Sequence, residues 1–182
     1  NSYTIDRLIG AANAFDLLPN TTFRKPKIPK GVLKGLAALT RDAKQLKPPY
    51  GEQVLSNLHR VKSLNLRQKI KSRYQLLPPN IRDLLPEMEL LIEHCVRSRN
   101  YFVHGAKPKL SDDSTRDLMV PLTDTLEFIF VASEIFECGW KPERWMKEAS
   151  RGKLRDFVRF YDETLQRVKN GLKAATATNN LN

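Results

Sequence analysis

Cysteine is scarce in this 182-residue chain, with only Cys95 and Cys138 present, and no CxxC or HExxH spacing occurs. That leaves no disulfide framework and no metal site of the usual ligand pattern. Eight scattered glycines make neither GxGxxG nor GxxxxGK, so the loops that cradle nucleotide phosphates are missing and no cofactor is expected. No serine or cysteine lies in a nucleophile elbow or related hydrolase signature. No apolar run approaches the roughly 18 to 20 residues that cross a bilayer, and no basic, apolar, small-residue leader opens the chain. Alternation with period two is absent over strand lengths, as is any repeat at solenoid periods. What remains is an all-α chain. Both cysteines sit in apolar helical contexts and read as buried thiols, for which a reducing cytoplasm is the simplest setting.

Hydrophobic residues make up 41% and charged residues 28%, a globular balance, and the length suits one domain over 1–182. The chain opens at Asn1 without a methionine and is expected to be a piece of a longer polypeptide. Its net charge of +11 is lopsided: residues 1–110 carry 20 Lys/Arg against 8 Asp/Glu, and residues 111–182 carry 11 against 12. A basic half attracts polyanions, nucleic acid above all, although solubility alone would also account for it.

Spacings of three and four place helices over 2–18 (Ile5, Leu8, Ile9, Ala12, Phe15), 29–46 (Val32, Leu36, Leu39, Ala43, Leu46), 50–62 and 64–76. A turn rich in proline and lysine, FRKPKIPKG, separates the first two. The fourth helix bears Arg67, Lys69, Lys71 and Arg73, which suit either an RNA-contacting face or a solvated flank. The run LPPN over 77–80 and Pro86 bracket a short element. Asp113 or Ser114 is expected to cap a helix that runs to about Glu137 and is kinked or restarted at Pro121. Its second half, LEFIFVASEIF, is apolar on most sides and should be the most buried. A short helix over 143–149 presenting Trp145 and Met146, a long one over 152–173, and a frayed polar tail over 174–182 complete the chain.

The most improbable residues lie in EMELLIEHCVRSRNYFVHG, residues 87–105. On a helical wheel Met88, Leu91, Ile92, Cys95 and Phe102 share one stripe with Arg99 in its middle. Asn100, His104 and Glu93 flank it, and Gly105 suits the helix end. A guanidinium in an apolar seam loses several kcal/mol of solvation and cannot shed its proton, so an anion should meet it: a structural carboxylate or a phosphate. The five-residue interval sets Arg99 and His104 about 7.5 Å apart along the axis and about 140° around it. Either a distorted last turn or a second subunit is expected to bring them together. Glu89 and Glu93 could orient either residue or stay exposed, and Tyr101 could stack a base or pack.

Arg99-Asn100-Tyr101-Phe102-Val103-His104, followed by Gly105 at a helix end, resembles the R-x4-6-H motif of HEPN domains, with Asn100 as the polar residue that commonly follows the arginine. The whole chain is most similar to the HEPN domains at the C-terminal end of ApeA-type abortive-infection proteins, antiphage effectors of bacteria. That resemblance implies an HEPN-like helical bundle and a metal-independent endoribonuclease acting as a cytoplasmic homodimer on RNA. It also implies a sensing domain upstream in the same polypeptide. By position, Arg99 and His104 are the catalytic residues and Asn100 the supporting one. Regulation by AMPylation of a tyrosine just past the histidine does not fit, since Gly105, Ala106 and Lys107 follow His104. The competing reading is a non-catalytic dimerisation or RNA-binding module with Arg99 in an internal salt bridge and His104 capping its helix.

Overall fold

The structure, a computed structural model, describes residues 2–23, 28–61, 63–107, 109–141, 143–144 and 153–179. Among them every regular element is helical: α1 (Ser2–Leu17), α2 (Lys30–Ala43), α3 (Tyr50–Val61), α4 (Leu66–Tyr74), α5 (Pro79–Arg82), α6 (Met88–His104), α7 (Asp112–Asp117), α8 (Met119–Glu137) and α9 (Lys153–Asn179), with a 3₁₀ turn at Asn20–Thr22. The all-α expectation holds. Of the short helix expected over 143–149, residues 145–149 with Trp145 and Met146 lie outside the described residues, as do residues 24–27 of the basic turn.

Boundaries moved where backbone chemistry outweighed the apolar pattern. The helix expected to start at Asp113 or Ser114 begins earlier, because Ser111 takes the N-cap and its Oγ accepts the Ser114 N–H at 3.2 Å. The chain then restarts at Leu118, so Pro121 falls in the first turn of α8, where its missing N–H breaks no helical bond. At the other end α9 passes the expected limit near residue 173 and continues through Asn179.

By contact the chain, read as a single domain, divides into two compact units, residues 20–65 and the remainder. In the larger unit α8 is the central element, packed by α1, α4, α6, α7 and α9. Its sequence explains the position: Leu122, Leu126, Ile129 and Ala132 are buried, and Thr123 and Thr125 are buried too because their hydroxyls bond back to the Met119 and Pro121 carbonyls. Leu8, Ala12 and Phe15 of α1 complete the core, with the Phe15 ring edge-on to Phe130 at 5.4 Å. Each such buried aliphatic or aromatic side chain contributes roughly 1.5–3 kcal/mol.

The fully buried arginine of this unit is Arg73. Its Nε donates to Ser133 Oγ at 2.9 Å, Nη1 to Glu137 Oε2 at 2.6 Å and Nη2 to Glu134 Oε1 at 2.5 Å. The other basic residues of α4 are also paired: Arg67 with Glu93, Lys69 with Asp16 and Lys71 with Glu89. Each basic residue of α4 therefore meets a carboxylate of a neighbouring helix, while the Arg67 and Lys71 side chains stay 50% and 40% exposed to solvent. The wheel did carry a signal, since Leu66, Ile70, Arg73 and Leu77 follow one another at helical intervals.

In the smaller unit, α2 and α3 pack across the turn at Lys44–Pro49, which includes a cis Pro48–Pro49 bond. Gly51 is required there: a Cβ would stand 2.8 Å from the Ala43 carbonyl oxygen and 2.9 Å from that of Leu46. Of the residues expected to face inward from α2, Leu36 and Ala43 are buried, while Val32, Leu39 and Leu46 are about half exposed.

Candidate active site

Helix α6 carries the arginine and histidine singled out above. Its start is held from α9, where Lys169 Nζ lies 2.5 Å from Glu87 Oε1 and the Tyr161 hydroxyl donates to the Pro86 carbonyl. Glu87 itself takes the left-handed conformation, φ 59°, as the chain turns into the helix. Met88, Leu91, Ile92 and Cys95 are buried as the wheel indicated, and Phe102 packs against the core from a half-buried position. At the far end Gly105 stops the helix with φ 64°, its N–H bonded to the Tyr101 carbonyl at 3.0 Å. That is the αL cap expected of this glycine.

Arg99 is half buried at the end of the stripe. Its Nη1 lies 2.8 Å from His104 Nε2 and donates to Asn100 Oδ1 at 3.1 Å, and its Nη2 donates to Asn13 Oδ1 at 3.3 Å. Its Nε is buried with no hydrogen-bond partner. Among the described residues no carboxylate lies within ion-pairing distance of this guanidinium. The two residues meet although the helix is regular through His104, because the long arginine side chain spans the offset. Neither a distorted turn nor a second subunit is needed for that contact.

The contact also sets the histidine tautomer. A guanidinium N–H can only donate, so His104 Nε2 accepts, and a neutral ring then carries its proton on Nδ1. The imidazole is solvent-exposed at the helix end. Asn100 Oδ1 and Asn13 Oδ1 hold the guanidinium from two sides without neutralising it, so its full positive charge remains available.

Neither helix acid serves this pair. Glu89 pairs with Lys71, and Glu93 collects Arg97 at 2.8 Å, Arg67 at 3.2 Å and Lys109 at 3.7 Å. Burial works against ionisation of Glu93, but the hydrogen bond from Arg97 and the surrounding cations hold its carboxyl below the usual range. Tyr101 packs edge-on against Phe102, with centroids 4.8 Å apart. His94 is buried on the same helix; burial lowers its proton affinity, Glu93 opposes this, and Arg97 and Lys109 reinforce it. Cys95 donates to the Leu122 carbonyl at 3.3 Å and burial pushes its thiol pKa upward, whereas Cys138, expected to be buried, is exposed at the end of α8.

Asn13 escaped the sequence reading. A polar residue inside the apolar run AANAF was the available signal, but nothing in the sequence linked it to a residue 86 positions away. Beside Asn100 opens a pocket of about 300 Å³ lined by Arg67, Glu93, Val96, Arg97, Asn100, Ala106 and Lys107. Among the described residues no group of three or more His, Cys, Asp or Glu side chains is placed to hold a metal ion, and no helix is long and apolar enough to cross a membrane.

In comparison with protein families, residues 9–144 match a model described as Apea-like HEPN. No curated protein and no solved structure matches the chain. The matched span contains α6 entire, Asn13 and every residue that lines the pocket.

Proposed function

We propose, from the premise that the chain belongs to the Apea-like HEPN family, that it is an endoribonuclease with Arg99 and His104 as its catalytic residues. The observation that carries this is the 2.8 Å contact between a guanidinium that meets no carboxylate among the described residues and an exposed, hydrogen-bond-accepting imidazole. An arginine kept in place for architecture would be expected to resemble Arg73, which meets two acids. Arg99 instead has neutral partners and a charge still to be answered.

The chemistry follows from those two groups. When an RNA phosphate takes the place of the ring at Nη1, the guanidinium can bind a phosphoryl oxygen through charge-assisted hydrogen bonds that strengthen as negative charge builds there. His104 Nε2, released from the arginine, takes the proton of the ribose 2′-hydroxyl. The 2′-oxygen bonds to phosphorus, the bond to the 5′-oxygen breaks, and the imidazolium returns its proton to the departing 5′-oxygen. The products are a 2′,3′-cyclic phosphate and a 5′-hydroxyl. Asn100 supports the reaction by accepting a hydrogen bond from Arg99 Nη1 and so holding the guanidinium in place.

In this reading the chain is the toxic effector of antiphage abortive infection, works as a homodimer, and is restrained by a sensing domain in the same polypeptide. The decisive experiment is cleavage of generic RNA in EDTA. His104→Ala should lower the rate by roughly 10² or more while helicity is retained, since general acid–base contributions run about 10²–10⁴. Equal cleavage by His104→Ala and the parent would remove the assignment.

A further inference from the structure

The pocket beside Asn100 belongs to no step above, and its charge is out of balance. Arg67, Arg97 and Lys109 all converge on one carboxylate, Glu93. Lys107, which lines the same pocket, has no carboxylate partner among the described residues. Three cations thus share a single acid and Lys107 adds a fourth positive charge at the pocket, so that positive charge exceeds negative there. Val96 and Ala106 give the pocket an apolar side. Asn100 joins it to the catalytic pair: its Oδ1 is bound to Arg99, while its amide nitrogen carries no hydrogen bond among the described residues and remains a free donor.

A ligand with a phosphate, hydrogen-bonding groups and an apolar face meets all three features, and its position next to Arg99 selects a nucleotide within a strand. We propose that this pocket binds the RNA nucleotide adjacent to the scissile linkage, with Arg67, Arg97 and Lys107 as its phosphate ligands. The identity of the ligand as RNA rests on the nuclease reading. Glu93 acts as a positioning residue: it gathers Arg67 and Arg97 at the pocket wall and leaves their remaining donors to a phosphate. The volume, about 300 Å³, is of the size of one nucleotide.

The test separates binding from cleavage. Affinity is measured by fluorescence anisotropy with a short labelled 2′-O-methyl oligoribonucleotide, which lacks the attacking hydroxyl and cannot be cut. Lys107→Gln is the clean variant, because no ion pair among the described residues is lost with it. It should weaken binding ~3- to 5-fold and lower the slope of log affinity against log salt by about 0.7, the value for one phosphate contact to a single strand. Arg67→Gln combined with Arg97→Gln should weaken it ~10-fold. Lys173→Gln, at an exposed position of α9, removes one charge elsewhere and serves as the control. If Lys107→Gln and the double variant bind with the affinity and slope of Lys173→Gln, the pocket is not a subsite. If they bind more weakly while the parent never cleaves ordinary RNA, the subsite stands and the nuclease assignment falls. If the parent cleaves and the pocket variants bind as it does, the nuclease stands and the subsite falls.

Discussion

Two arginines of this chain should respond in opposite ways to replacement by leucine. Arg73 is fully buried with three hydrogen bonds, two of them to carboxylates. Removing one partner of a buried charge network typically costs about 3–5 kcal/mol. Here the Glu134 and Glu137 side chains remain 41% and 45% exposed and can rehydrate, which brings the figure for Arg73→Leu to about 2–3 kcal/mol. At ~2–4 °C per kcal/mol for a chain of this size, its melting midpoint should fall ~4–12 °C. Arg99→Leu strands no carboxylate, loses hydrogen bonds only to neutral partners, and relieves a buried Nε that has none. Its stability should stay within about 1 kcal/mol of the parent, while RNA cleavage drops by ~10² or more. Thermal unfolding followed by circular dichroism, alongside cleavage assays on the same preparations, reads both effects. An Arg99→Leu protein that melts below Arg73→Leu would show that the unanswered charge of Arg99 is structural after all, and its catalytic assignment would lose its basis.

Asn13→Asp places a carboxylate where the amide oxygen now sits 3.3 Å from Arg99 Nη2; it should compete with phosphate and cut kcat/KM ~10-fold, and undiminished turnover would mean that the neutrality of this site is irrelevant. Gly105→Ala meets no atom within 4 Å of its new Cβ, so its penalty is the positive φ alone, about 1 kcal/mol; a midpoint unchanged within error would contradict the left-handed cap. Because burial lowers the proton affinity of His94 in the folded chain, the unfolded chain takes up a proton first as pH falls through about 6.5. Stability should therefore hold above that pH and decline below it, and His94→Gln should flatten the decline; equal slopes for both proteins between about pH 7 and 5 would refute the assignment.

Much of the fold was legible before any coordinates, for one physical reason: apolar spacing, proline and glycine act over a few residues. The bounds of α1 and α3, the burial of α8 and the glycine stop of α6 all follow from neighbours in the chain. Local chemistry that was misread, such as Ser111 outcompeting Asp113 and Ser114 as a cap, was still written locally. In α2 the same spacing over-read burial, because an apolar stripe shows which residues can be covered and not whether anything covers them.

The sequence by itself determined that the chain is helical, that its N-terminal part is basic, and that an arginine, an asparagine and a histidine share one helix end. Which arginine is sunk in the core and which is left unanswered was decided only by the tertiary structure. Arg73 and Arg99 both sit on apolar stripes, and the difference lies in what distant segments bring to them: Glu134 and Glu137 to one, Asn13 to the other. Charge compensation acts through space, and no periodicity along a chain records which side chain will arrive within about 3 Å.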